Sequence, residues 1–150
     1  MSRNNRQSGI TLIELMTVVV IVSILVTVAI PSYRSYLIRT QRSDAKTALL
    51  TLRAAQEKFY LQNNEYTSKV TDPPASGGLG LRPTSDNGFY TITVDLGTGA
   101  DEDSNQGYTA SATPVEGRSQ TEDVKCLVMT LTDVGLRGAS GPGGPEYCWR

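Results

Sequence analysis

One carboxylate, Glu14, stands inside an otherwise uncharged run from Ile10 to Ile30, read ITLIELMTVVVIVSILVTVAI. A charge at the centre of a bilayer costs on the order of 2.5 to 3.5 kcal/mol, so an acid in such a run calls for a named partner. Ile10 and Glu14 are spaced i, i+4 and share one face of a helix, and a helix N-terminus favours a nearby anion. The other residues with obvious chemistry are two cysteines, Cys126 and Cys148. Behind a membrane-targeting segment, an even pair reads as one disulfide, closing a loop that contributes roughly 3 to 4 kcal/mol in the chain-entropy model.

The rest of the composition excludes more than it offers. The chain contains no histidine, which removes the commonest general base and the commonest metal ligand together. Two cysteines without histidine cannot supply a tetrahedral zinc set. Asp101, Glu102 and Asp103 stand in a row but lack the alternating pattern and distal Glu of a calcium loop, so they read as a solvated hairpin tip. Glu122-Asp123 reads likewise as an acid pair on a surface turn. With no phosphate-binding glycine loop and no nucleophile and base at a recognisable spacing, we expect no enzyme, no metal and no cofactor.

Charge is close to balanced, 14 basic against 15 acidic side chains. Downstream of the long helix, Lys69, Arg82, Arg118, Lys125, Arg137 and Arg150 are thinly scattered along the sequence, a poor footprint for a dedicated nucleic-acid binder.

These residues need elements to position them. The apolar run is about twenty residues, enough helix to cross a hydrocarbon core. It leads into Pro31, whose missing amide and bulky ring predict a kink against the Thr27 carbonyl. From Ser32 to about Gln62 the pattern becomes amphipathic: Ala45, Leu49, Leu52, Ala55 and Phe59 recur at spacings of four, three, three and four. Arg42, Lys46, Arg53 and Glu57 lie off that stripe and are expected in solvent. Tyr33, Tyr36 and Leu37 beside Arg34 and Arg39 have the composition of an interfacial belt, or equally of a surface that packs against other subunits. The whole helix is expected to run about 50 residues, roughly 75 to 80 Å. A Gly- and Pro-rich loop follows, over about residues 64–88. Three strands are expected: Phe89 to Leu96, Tyr108 to Thr113 and Lys125 to Thr132, each with one apolar face. Such strands form an antiparallel sheet laid on the helix stripe, an α+β fold. The tail after Asp133 is expected to be irregular.

Ser8-Gly9 followed by Ile10-Thr11-Leu12-Ile13-Glu14-Leu15, the apolar run and Pro31 closely resembles the class III signal of type IV pilins and pseudopilins. The resemblance implies cleavage between Gly9 and Ile10 by a prepilin peptidase, N-methylation of Ile10, and retention of the helix as membrane anchor and then filament core. It implies that Glu14 pairs with the N-terminal amine of a neighbouring subunit during assembly, the alternative being an intrachain pair at the membrane edge. Its departures are Ile10 where Phe is commonest and Ser23 where many relatives carry Gly. The strand around Cys126, the Gly-Leu-Arg-Gly-Ala-Ser-Gly turn and the terminal Cys148-Trp149-Arg150 look most like the PilE-like minor pilins.

The implied organisation is a leader at 1–9, a transmembrane and filament-core helix at 10–31, and a head at 32–150. That head comprises an amphipathic helix at 32–63, a loop at 64–88, a sheet at 89–132 and a disulfide-closed tail at 126–150. The implied function is a structural minor pilin supporting pilus assembly, twitching motility and adhesion. The implied partners are other pilins, the peptidase and the assembly platform, and the implied location is the bacterial inner membrane, then an extracellular pilus. Alternatives are the major pilin, a DNA-uptake receptor pilin and a type II secretion pseudopilin.

Overall fold

A computed structural model describes residues 10–97 and 105–150. Gly9 and the acidic run Asp101 to Asp103 lie outside the described residues. The chain divides into two compact units, one up to Leu37 and one over Ile38–Arg150.

The described part of the first unit is helical from Leu12 onward. Helix α1 spans Leu12–Asn63, 52 residues, and contains Pro31 within its assigned length. Its apolar part carries hydroxyls that would be costly in lipid, and each is satisfied locally. Thr17 Oγ1 donates to the Ile13 carbonyl, Ser23 Oγ to that of Val19 and Thr27 Oγ1 to that of Ile24, all at 2.7 Å. Apolar side chains along this part are exposed to the surroundings, and the helix is long and apolar enough to cross a membrane.

In the second unit the remainder of α1 packs on a four-stranded antiparallel meander ordered β1-β2-β3-β4. The strands are β1 Tyr90–Leu96, β2 Tyr108–Pro114, β3 Val128–Thr132 and β4 Arg137–Ser140. Alternation sets the sheet's inner face: Tyr90, Ile92 and Val94 on β1, Tyr108, Ala110 and Ala112 on β2, and Met129 and Leu131 on β3 are buried with Ala45, Leu49 and Leu52 of α1. The register places Ile92 opposite Ala112 and Ala112 opposite Met129, so one row crosses three strands beneath the helix.

Four expectations are corrected. The tail is regular, with β4 pairing to β3 and a short helix α2 over Gly144–Trp149. β4 carries no apolar alternation because its pairing is dictated by fit. Gly138 faces Thr130, and a Cβ there would stand 2.3 Å from Thr130 Oγ1. The third strand begins at Val128, not Lys125, and leaves Leu127 exposed. Arg42 is buried at 4% exposure and Lys46 is half-buried. The polar turn at Ser119–Glu122 is a 3-10 turn with Gln120 fully buried, and Asp123 next to it is buried as well.

Buried polar groups tie the irregular segments to α1. Gln56 Nε2 donates to the Thr67 carbonyl at 2.6 Å and its Oε1 accepts from the Thr67 amide, fixing the loop after the helix. Gln120 Nε2 donates to Tyr90 Oη at 2.6 Å and to the Ile38 carbonyl at 3.2 Å. Burial pushes the Tyr90 and Tyr108 phenols well above their ordinary value of 10, with Asp123 adding to the effect at Tyr90 and Glu57 at Tyr108. Both phenols must therefore stay neutral in the fold, whereas an unfolded chain can ionise them. Stability is expected to be intact below pH 10 and to fall above it, by about 1.4 kcal/mol per pH unit for each phenol until its folded value is reached. Denaturant midpoints measured between neutral and strongly alkaline pH check this, and a Tyr108→Phe variant should lose roughly half of the slope.

Candidate functional site

At the N-terminal end, Thr11 and Glu14 close on each other. Glu14 Oε2 accepts from the Thr11 amide at 3.1 Å and from Thr11 Oγ1 at 2.9 Å, while the Glu14 amide donates to Thr11 Oγ1 at 3.3 Å. This is a reciprocal capping box, satisfying two amides that the first turn of α1 would otherwise leave orphaned. The spacing Thr-x-x-Glu at residues 11 to 14 is its sequence signature, and it is the local signal that reading Glu14 purely as a partner for an amine overlooks. Ile10 is exposed one residue before the cap.

The second constellation is built around the cystine. Cys126 and Cys148 are joined, with an S–S distance of 2.00 Å and both residues fully buried. The bond pins α2 to the segment before β3. Gly141, at φ +103, lets the chain turn back against the Lys125 carbonyl, where a Cβ would come within 2.6 Å of that oxygen.

Beside the cystine, Arg42 of α1 makes a bidentate ion pair with Asp123, Nε to Oδ2 at 2.6 Å and Nη2 to Oδ1 at 2.8 Å. The two residues are 81 positions apart in sequence. Burial works against the Arg42 charge, but the bonds and the attraction from Asp123 outweigh it, so its pKa is raised. The Arg42 guanidinium also lies 4.8 Å from the centre of the Tyr147 ring, with Lys125 Nζ at 5.3 Å from the same ring. Trp149 Nε1 donates to the Gly138 carbonyl at 2.8 Å, and Arg137 stacks over its ring at 5.2 Å. Lys46 Nζ donates to the Arg150 carbonyl.

The fold thus corrects the picture of scattered bases. Lys125, from the segment before β3, and Arg137 and Arg150, from the tail, converge on Arg39, Arg42 and Lys46, whose spacings of three and four place them on one face of α1. No periodic signal within the tail announces this; only the spacing on α1 could have.

A prokaryotic N-terminal methylation motif matches residues 4–30, and the family model described as type IV minor pilin ComP, DNA uptake sequence receptor, matches residues 31–130. A fimbrial protein of Pseudomonas aeruginosa is 33% identical over 129 residues, covering 84% of this chain and 79% of the relative. The type IV major pilin PilE1 of Neisseria gonorrhoeae is 35% identical, covering 64% of this chain and 56% of its own length. The major pilin PilA of Myxococcus xanthus is also 35% identical, over 63% of this chain but only 40% of its own length. Among solved structures, the non-core minor pilin PilV of Neisseria meningitidis is similar over 71% of this chain and 90% of that one, at 27% identity and a TM-score of 0.49. The chain belongs to the type IV pilin family. That is a family of structural proteins carrying the N-terminal methylation motif.

The Arg42–Asp123 pair yields a prediction. Asp123→Asn leaves a buried guanidinium without its counter-charge and is expected to destabilise the head by about 3 to 5 kcal/mol. Replacing both partners with apolar residues, Arg42→Met with Asp123→Leu, should recover most of the loss. Chemical denaturation of the detergent-solubilised chain measures both.

Proposed function

We propose that this chain is a minor pilin, cut between Gly9 and Ile10, methylated on Ile10, held in the inner membrane by residues 10–31 and then built into a type IV pilus. The single observation that carries the reading is the match of the ComP minor-pilin model across residues 31–130, continuous with the methylation motif over 4–30. Glu14 acts in assembly by meeting the N-terminal amine of a neighbouring subunit, and Pro31 bends the helix where it leaves the apolar run. The chain's partners are other pilins, a prepilin peptidase and an assembly platform, and its contribution is to assembly, twitching motility and adhesion.

Mass spectrometry of sheared filaments and of inner membrane, taken together, tests this. The expected result is a mature N-terminus at Ile10, a mass increment of one methyl group on it, and a filament abundance far below that of the principal subunit. Glu14→Ala should reduce incorporation into filaments by about tenfold or more while membrane levels hold, because an assembly-specific charge pair is lost but the head is untouched. Unchanged incorporation would overturn the assembly role of Glu14.

The relatives named major pilins favour a second reading, that this chain is itself the principal subunit. Dominance of this chain in sheared filaments would establish it. The description of the matched family model supports a third, DNA uptake. On that reading the full chain in detergent shifts a duplex probe in a salt-dependent manner, and no shift at low salt rules it out.

A further inference from the structure

The cationic cluster beside the cystine has no role in the assembly reading, and its chemistry is specific. Arg39, Arg42, Tyr147 and Arg150 line a cavity of about 90 Å³. Asp123 gives both carboxylate oxygens to Arg42, so it has little left for the neighbouring cations. The surplus of positive charge registers on the groups around it. The Tyr147 phenol is held below its ordinary value, mainly by its hydrogen bond to Arg42, with Lys125 and Arg39 adding to it. Lys46 is also held below its ordinary value, by burial first and then by repulsion from Arg42 and Arg137. Glu146 lines a neighbouring cavity with Arg137, Trp149 and Arg150.

We propose that this cluster is a binding site for the phosphate headgroup of an anionic phospholipid, occupied while the chain is in the membrane. The inference rests on the reading of residues 10–31 as a membrane anchor. With the Arg42 fork held by Asp123, the guanidiniums of Arg39 and Arg150 and the Tyr147 phenol around a cavity of this size suit one tetrahedral phosphate. Arg39 follows Ile30 by only nine residues, and Tyr33, Arg34 and Tyr36 lie between them. Nine residues of chain span at most about 30 Å, so connectivity alone bounds the distance of Arg39 from the end of the apolar run. Tyrosine, tryptophan and arginine together are the side chains that interfaces favour, and basic pockets near membrane helices take lipid headgroups. A long polyanion suits the head less well. Residues 38–150 carry 11 basic and 14 acidic side chains, which repel an extended phosphate backbone away from this one spot.

Trp149 is the only tryptophan in the chain and half-buried in the cluster, so its emission reports on the site. The full chain is reconstituted into phosphatidylcholine vesicles containing a headgroup-labelled nitroxide lipid, with or without phosphatidylglycerol. Trp149 quenching is expected to rise with phosphatidylglycerol content and to fall back in high salt. Arg39→Gln with Arg150→Gln, both exposed and outside the buried pair, should lose about tenfold in apparent affinity for phosphatidylglycerol. Retention of that variant in carbonate-washed membranes shows that anchoring is intact. A wild-type chain retained in the membrane whose quenching ignores phosphatidylglycerol overturns the proposal alone; release of the wild-type chain by carbonate overturns the anchor reading and the proposal with it. Two further outcomes reassign the cluster and so overturn the lipid assignment. One is inorganic phosphate reproducing the Trp149 response in neutral detergent, and the other is duplex DNA binding in detergent with an affinity that the double variant abolishes.

Discussion

The pairing of Arg42 with Asp123 is the contact through which the head's distant segments are held to one another. Asp123 is three residues before Cys126 and its carbonyl accepts from the Cys126 amide at 3.2 Å. Cys126 is bonded to Cys148, whose neighbour Tyr147 lies against Arg42. Helix, turn, cystine and tail therefore form a closed circuit that begins and ends on one guanidinium. A buried ion pair is rarely more stabilising than well-packed apolar residues of the same volume. What it does here is select: a charged fork satisfied at only one place fixes which face of α1 receives the tail, a choice that the smooth apolar stripe of Ala45, Leu49 and Leu52 leaves open.

Much of the fold could be read from the sequence where local periodicity and tertiary burial agree. The helix end at Asn63, the faces of β1 and β2, and Met129 and Leu131 on β3 all follow from spacing. Legibility fails where a polar residue is buried by a partner far along the chain. Arg42 and Lys46 lie off the apolar stripe, which ordinarily means solvent; they are covered because the turn at Asp123 and the tail's Arg150 meet them, 81 and 104 residues later. Gln56 and Gln120 are hidden for the same reason, each reconciling a loop's backbone with the core. β4 was illegible in another sense, since Gly138 fits beside Thr130 by having no side chain and leaves no apolar pattern to read.

The candidate site divides along the same line. The N-terminal constellation is contiguous, so its motif was readable, although the cap between Thr11 and Glu14 is a local signal that the functional reading of Glu14 obscured. The cationic cluster is assembled from α1, the segment at Lys125, β4 and α2, and no segment on its own contains more than a fraction of it. Its coherence comes from the cystine, which brings α2 against the residue preceding Cys126.

The cap also bears on the assembly role proposed for Glu14. A carboxylate offers about four lone-pair sites, and the Thr11 amide and hydroxyl both address Oε2. On the assembly role proposed for Glu14, an amine from a neighbouring subunit would not have to displace Thr11. The cap holds the carboxylate at the first turn, where the helix dipole already favours a negative charge. Preorganised in this way, Glu14 would lose little side-chain freedom on meeting the amine of the proposed assembly step, and the cost of an acid in an apolar run is offset in part by its own chain.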